Sequence, residues 1–575
     1  MTEPMRAAPI VLGLTATFVL GLGLRVQGLD RLQPHLQESD PYLVLQMQLH
    51  RAGIEPGRKL PHGYYAYPTL IARALAWIPE ARVDPATPPD ERLAAELAAA
   101  SADVVRVRTL VALLASLLIP ATFALGRRFL SPGAALLASA LTATSLLHLL
   151  FSQEARPHGA HATCAALAVL AALWMRRHPS WGAYAAGAAA AALALGTLHT
   201  GVFVVPPLIV AHLLRDRERR NWVSHRAVLV PLAAAAFAIG MLYPRAPTVQ
   251  PGGVWEFGGH TLRLASLDGS GFARLATFLW DCDPALFVLA AGGLVAALAR
   301  LGRGAARIAP ERRGDLLVVL SYAVPYFLAL GLFGEVQDRF LLPLIPYLAV
   351  LGGLLFETLT PRAGQQRAVV ATLLAVLALS FPAHVVWRFA QVRAAPDTVE
   401  RAAAWVRTNA RPNADRVLVT PRLALPLFHD PESLRLAAGD YASRQSVWIA
   451  WQLQHRSLQA TPKEPEPAWK LFLTPGKLVQ TGREHDPEEL RAWLDEVHPR
   501  YAVLEVSRLT MFLPEVRALR DLIRERGTVR AHLHGEGTEW CQEPPLDYQD
   551  VPHLARRILA AEAFGPCIEI YRLDD

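Results

Sequence analysis

Lysine is nearly missing from this chain: of 57 basic residues, only Lys59, Lys463, Lys470 and Lys477 are not arginine. Charge as a whole is scarce, at 19% of residues against 52% apolar, which excludes a disordered chain. The formal net charge of +7 gathers in short arginine-rich links between apolar runs, a topology signal rather than a nucleic-acid surface. The four cysteines, Cys164, Cys282, Cys541 and Cys567, show no CxxC or Cys/His spacing, so neither a zinc site nor a disulfide framework is indicated. GxGxxG, Walker, GxSxG and HExxH patterns are all absent, which removes the usual sequence support for phosphate-loop nucleotide binding and zinc proteolysis. No internal repeat is visible, which counts against a transporter.

Long apolar runs are plentiful. The stretch from Pro9 to Val26 is too long for a signal-peptide core and has no small-residue cleavage site after it, so an uncleaved first span is expected. Further spans are expected over about 104–125, 133–151, 159–175, 181–198, 201–214, 227–243, 284–300, 315–333, 340–357 and 367–387, about eleven in all. With the amino terminus inside, the links at Arg127-Arg128, Arg176-Arg177, Arg215–Arg226, Arg300–Arg313 and Arg362–Arg367 are all cytoplasmic. The opposite links, Gly28–Asp103, Phe151–His158, Tyr243–Pro284 and Gly334–Arg339, are long, acidic or polar. The expectation is a polytopic helical membrane domain over 1–390 and an exported soluble α/β domain over 391–575, in a bacterial inner membrane.

In the second domain no apolar run reaches membrane length. A helix is expected over Val399–Thr408, strands at Arg416–Thr420, Tyr501–Val506, Thr528–Leu533 and Ile568–Leu573, and helices at about 487–497 and 514–526. Cys541 and Cys567 both fall in this exported domain, where a disulfide is permitted, but spacing alone does not decide whether they meet.

Polar residues of the membrane region gather at one face. The first outer loop holds Gln37-Glu38-Ser39-Asp40-Pro41-Tyr42 and Tyr64-Tyr65-Ala66-Tyr67-Pro68-Thr69; the second is Ser152-Gln153-Glu154-Ala155-Arg156-Pro157-His158; a later one carries Glu335-Val336-Gln337-Asp338-Arg339-Phe340. Carboxylates with arginines at a lipid surface suit chemistry on a phosphate-linked lipid, since arginine pairs phosphate bidentately and a carboxylate can deprotonate a hydroxyl or hold a metal. The competing reading is that such residues merely anchor span ends, and that Asp40 before Pro41 caps a helix over Tyr42–His50. His148, His158, His161 and His199 are expected to be packing residues rather than metal ligands.

These segments resemble the GT-C superfamily of membrane glycosyltransferases, of the dolichyl-phosphate-mannose protein mannosyltransferase and aminoarabinose transferase type (family 39-like). The likeness runs through the acidic first loop, Tyr67–Leu70, Arg106–Phe129, Ser152–Pro157, Asp338–Pro343 and Ala402–Asn409. It implies a hexosyl or pentosyl transfer, away from the cytoplasm, from a polyprenyl-phosphate sugar donor to a protein, lipid or glycan hydroxyl. It also implies an essential acid in the first outer loop, best matched by Asp40. Relatives often carry Asp-Glu there, whereas this chain reads Glu38-Ser39-Asp40-Pro41-Tyr42, closer to the Asp-Pro-Tyr of oligosaccharyltransferase catalytic subunits but without their Trp-Trp-Asp motif. Glu38 is therefore a second candidate acid, and a divalent metal at Asp40 is left open. Arg156 and Arg339 are the candidates for the donor phosphate, with Arg106 behind them, Glu154 to orient an arginine or the sugar, and Tyr67 beside the donor.

The alternative is a polytopic transporter or lipid flippase, which would carry polar residues near mid-span. Topology is tested by Arg219→Cys and Asp486→Cys, made singly and probed with a membrane-impermeant thiol reagent on intact cells. Position 486 is expected to label and position 219 to stay protected; the reverse pattern would invert the orientation.

Overall fold

The computed structural model describes residues 3–33, 42–54, 67–215, 225–243, 248–250, 254–257, 260–302, 309–361, 366–420, 423–439, 447–455, 467–474, 487–506, 514–546 and 550–573. Glu38, Asp40 and the tyrosines at 64 and 65 lie outside them. The chain forms two compact units, one from Met1–Leu29, Asp40–Ala81 and Ala102–Trp387, the other from Asp30–Ser39, Arg82–Ser101 and Arg388–Asp575.

The first unit is helical. By length and composition six helical stretches can cross a membrane among the described residues: Ala8–Val26, Ala95–Gly126, His158–Arg177, Pro310–Leu332, Asp338–Leu359 and Gln366–Asn409, the last of which includes residues of the second unit from Arg388 on. A seventh is Pro132–Ala143 with Leu146–Ser152, bent by 54° at the break. The remaining stretches expected to span are helical but shorter over their apolar parts: Trp181–Thr197, a 3-10 turn His199–Val204 running into Val205–Leu213, Leu229–Leu242, and Pro284–Arg300. Six or seven helices thus meet a length test that about eleven were expected to meet. Large apolar side chains on these helices remain uncovered by protein, such as Leu20, Phe237, Val295 and Leu377, as suits a lipid-facing surface. The interruption expected between Gly196 and Gly201 is real, because Gly201 sits where a Cβ would fall 2.5 Å from the carbonyl of Ala194, and only glycine allows that approach.

One loop of this unit carries a structure that periodicity did not reveal. β1 (Thr248–Gln250), β2 (Val254–Phe257) and β3 (His260–Leu262) form an antiparallel three-stranded sheet, with Trp255 opposite Val249 and Leu262.

The second unit is a three-layer α/β/α sandwich. Its sheet consists of β4 (Arg416–Val419), β5 (Lys470–Leu473), β6 (Tyr501–Glu505), β7 (Gly527–Leu533) and β8 (Ile568–Leu573) in the order β5-β4-β6-β8-β7. β4 is parallel to β5 and β6, while β8 is antiparallel to both β6 and β7. Alternation along each strand divides the core into two layers. Val417, Val419, Val503 and Ile570 pack with Val399, Ala402, Ala403 and Val406 of helix Thr398–Asn409; Leu418, Ala502, Leu504 and Tyr571 pack with Leu490, Leu494, Leu519 and Ile523 of helices Pro487–Val497 and Pro514–Arg526. Helix Thr398–Asn409 opens with a capping box in which Asp397 accepts from the Glu400 amide and Glu400 from the Asp397 amide, a device worth about 1 kcal/mol. Arg31 joins the same unit, 3.8 Å from Asp397 and over the Phe564 ring. Cys541 and Cys567 form a disulfide. β5 is the strand that sequence did not show: four residues, Lys-Leu-Phe-Leu, are too few for a period to emerge.

Asp415, just before β4, sets a pH dependence. Burial pushes its carboxyl up, but the Arg411 side chain and amide and the Arg500 guanidinium outweigh this and hold it down at about 2. Depression means that the ionised form is favoured by folding, so its stabilisation is complete above about pH 4 and fades as pH falls toward 2. Because both arginines are solvent-exposed, the contribution is about 1 to 2 kcal/mol. Asp415→Asn should lower the thermal midpoint of the full-length protein at pH 7 and shrink its loss between pH 4 and 2; an unchanged pH profile would refute the assignment.

Candidate active site

The site is built where three membrane helices begin or break. Helix Leu146–Ser152 starts at Ser145, whose hydroxyl accepts the His148 amide at 3.2 Å. It ends at Gln153, whose side chain donates to the carbonyls of Leu24 and Gln27 at 2.7 and 3.0 Å. The chain then turns through Glu154 and Arg156 before His158 opens the next helix. Arg156 is 1% exposed, with Nε 3.3 Å from Glu154 Oε2. From another direction comes the 3-10 turn Asp338–Leu344, in which the Arg339 amide donates to Asp338 Oδ1 at 2.6 Å and the Arg339 guanidinium lies 5.6 Å from the Phe340 ring centre.

His158 stands at the meeting point. Its ring lies edge-on to Tyr67 at 5.6 Å between centres and within 6.3 Å of both Phe151 and Phe340, and Arg339, Arg156, His161 and His199 are all close enough to act on it electrostatically. Tyr67 is fixed from behind: Gln46, on helix Tyr42–Arg51, donates to the Tyr67 carbonyl at 3.0 Å, and the Thr69 amide donates to the Leu242 carbonyl at 2.9 Å. One turn deeper, His161 Nε2 pairs with the Thr200 hydroxyl at 3.1 Å, and the Tyr326 hydroxyl donates to the Phe340 carbonyl at 2.9 Å.

Two buried guanidiniums, that of Arg156 beside the Glu154 carboxylate, thus converge on an imidazole walled by aromatic rings. The walls keep water out and so strengthen each charge, and the arginine forks suit a tetrahedral oxyanion better than a point charge would. The far end of the same helix is different. Helix His158–Arg177 has 20 residues, hence a length of about 30 Å, the thickness of a hydrocarbon core. Its last turn is locked to helix Pro310–Leu332 by Asp315, fully buried, which takes both Arg176 and Arg177.

Of the residues singled out from sequence, Tyr67, Glu154, Arg156 and Arg339 are therefore drawn around one point. Arg106 is not among the residues around His158: it bonds Asp103 at 3.2 Å and the Pro79 carbonyl at 2.9 Å, and Asp103 also holds Arg51 at 2.6 Å. Glu38 and Asp40 lie outside the described residues. His158 at the centre, with His161 and His199, is among the histidines expected to be packing residues, Phe340 was quoted only as part of a polar segment, and Thr200 and Tyr326 were not singled out. A signal was present: His158, His161, His199 and Phe340 all fall at the same expected end of their spans. Among the described residues no group of three His, Cys, Asp or Glu side chains is arranged to hold a metal.

Residues 92–243 match the family model of dolichyl-phosphate-mannose-protein mannosyltransferase. That match takes in about a quarter of the chain. The segment carries Glu154, Arg156, His158, His161, His199 and Thr200 and ends before Arg339. No curated protein matches the chain. Among solved structures, it is similar to the archaeal oligosaccharyltransferase AglB from Archaeoglobus fulgidus in complex with an inhibitory peptide and a dolichol-phosphate, at 12% identity and a TM-score of 0.49 over 92% of this chain and 73% of that one. It is also similar to ArnT from Cupriavidus metallidurans, in the apo state at 15% identity and a TM-score of 0.43 over 72% and 82% of the two chains, and bound to undecaprenyl phosphate at 16% identity and a TM-score of 0.40 over 87% and 93%.

Arg156→Ala and Arg339→Ala should each weaken binding of a phosphate-headed lipid by about 1.5 to 3 kcal/mol, the worth of one charge-assisted contact. Arg106→Ala should change it little. Equal losses for all three variants in a lipid-phosphate titration would show that Arg156 and Arg339 have no special place.

Proposed function

We propose that the protein transfers a sugar from a polyprenyl-phosphate donor to an acceptor hydroxyl at the non-cytoplasmic face of the membrane. The observation that carries this reading is the convergence of Arg156 and Arg339 on His158, at the opposite end of a membrane-length helix from the Arg176/Arg177–Asp315 lock. The matched family model, whose description names a dolichyl-phosphate sugar, supports the donor class. Orientation draws support from the arginine-rich links at the locked end and from the disulfide in the second unit, a bond favoured in oxidising compartments. The polar residues around His158 collect at one end of the helices rather than at mid-span, which favours chemistry on a lipid headgroup over passage through the bilayer.

In this reading Asp40 takes the proton of the acceptor hydroxyl as its oxygen attacks the anomeric carbon. The bond from that carbon to the phosphate oxygen breaks, and the electron pair leaves with the lipid phosphate. Phosphate is a competent leaving group, so the enzyme's tasks are alignment and neutralisation of the developing charge. Arg156 and Arg339 supply that neutralisation, Glu154 orients Arg156, and Tyr67 with Phe340 walls the centre. The anomeric configuration inverts, because a single displacement is used. Glu38 is the second candidate base, and bacterial inner-membrane residence belongs to the same proposal.

The test incubates purified protein with a panel of polyprenyl-phosphate sugars and measures release of free lipid phosphate. Asp40→Asn should abolish turnover while donor binding persists, since an amide keeps shape but loses basicity. If Asp40 serves only as a helix cap, Asn replaces it without loss, because the two cap about equally well. Turnover near the parent rate in Asp40→Asn would move the base to Glu38.

A further inference from the structure

The break between Pro132–Ala143 and Leu146–Ser152 is surrounded by buried groups that take no part in the proposed chemistry. Arg25, in the last turn of the first helix, is fully buried. Its Nη1 donates to the carbonyls of Gly21 at 2.8 Å and Ala143 at 3.2 Å, and its Nη2 to the carbonyl of Thr142 at 3.3 Å and to His148 Nδ1 at 2.8 Å. A guanidinium has only donors, so His148 Nδ1 must accept and the ring carries its proton on Nε2. The carbonyls of Thr142 and Ala143 are among those the first half-helix leaves without intrahelical partners.

The second half-helix is held at its start by Asp283, also buried, which accepts from the Ser145 hydroxyl at 2.7 Å and from the amides of Leu146 and Leu147 at 2.7 and 3.3 Å. At its end Gln153 is tied to the carbonyls of Leu24 and Gln27, on either side of Arg25 in sequence. Helix Leu146–Ser152 is thus gripped at its first turn by Asp283, through His148 by Arg25, and at its last residue by the end of the first span. The next residues to emerge are Glu154, Arg156 and His158.

We infer that Arg25 is a positioning residue for the anion-binding arginine of this site: with Gln153 as its partner tether, it fixes the corner from which Arg156 and His158 project. The inference rests on the reading that Arg156 and Arg339 receive the donor phosphate. Arg25 itself reaches four acceptors and touches none of the groups around His158 that would meet a ligand.

Full-length protein in lipid nanodiscs would be compared as parent, Arg25→Gln, Arg25→Lys and Gln153→Ala, using amide hydrogen exchange and titration with undecaprenyl phosphate. Arg25→Gln and Gln153→Ala should speed exchange across 152–158 and lower affinity for the lipid phosphate at least tenfold, with exchange in Pro310–Leu332 and in the five-stranded sheet unchanged. Arg25→Lys, which keeps the charge but not the planar fork, should recover affinity only in part. Gln153→Ala removes no buried charge, so it carries the test should Arg25→Gln fail to fold. Unchanged exchange at 152–158, exchange raised throughout the membrane unit, or unaltered affinity in a variant whose 152–158 exchange has risen would each overturn the inference. A parent protein that does not bind undecaprenyl phosphate, with exchange at 152–158 still raised in the variants, would instead sink the donor-phosphate reading and leave the holding role standing.

Discussion

A helix that stops among tightly packed neighbours leaves carbonyls and amides with no water to receive them, and this constraint shapes the membrane unit. At the break after Ala143 the carbonyl side is met by Arg25 and the amide side by Asp283, opposite charges placed as the two helix ends require. Two other interruptions, at His199–Val204 and Asp338–Leu344, occur where helices turn through 3-10 geometry. Each supplies a polar side chain near His158 or His161: Thr200 to His161, and Arg339 to the surroundings of His158. Irregular backbone at membrane depth is tolerated only where protein or a polar cavity surrounds it. The cluster around His158 is therefore also where the fold admits departures from regular helix.

The scarcity of lysine acquires a structural meaning in this setting. Arg25 satisfies four acceptors from one side chain, and Asp315 is shared by Arg176 and Arg177. An ammonium group has three donors around a point and is more strongly hydrated, so it would bond fewer of these groups and cost more to bury. Other buried cations have a carboxylate beside them: Arg156 has Glu154, Arg176 has Asp315 and Arg557 has Glu536. Such pairs add little net stability but fix orientation, since loss of either partner strands a charge.

The second unit obeys a different solvent. Its sheet is covered on both faces, so β4 over Val417–Val419 and β6 over Tyr501–Leu504 are buried without a break while their residues alternate between two cores. Water can satisfy its loops, and its pH-sensitive Asp415, itself buried, is paired with arginines that reach solvent.

Sequence alone determined that apolar helices dominate the first two thirds of the chain, which links are arginine-rich, that a mixed α/β domain follows, and that Tyr67, Glu154, Arg156 and Arg339 belong to polar segments between apolar runs. Those properties depend on composition and short periods, which neighbours in sequence carry. The centrality of His158, the placement of Arg106 on Asp103 instead of beside Arg156, the disulfide, strand β5 and the grip of Arg25 on His148 were decided only by tertiary structure. Arg25 and His148 are separated by 123 positions and by a helix break that a run of apolar residues conceals. Hydropathy records how much a segment avoids water; which buried polar groups satisfy one another depends on the packing that brings distant segments together.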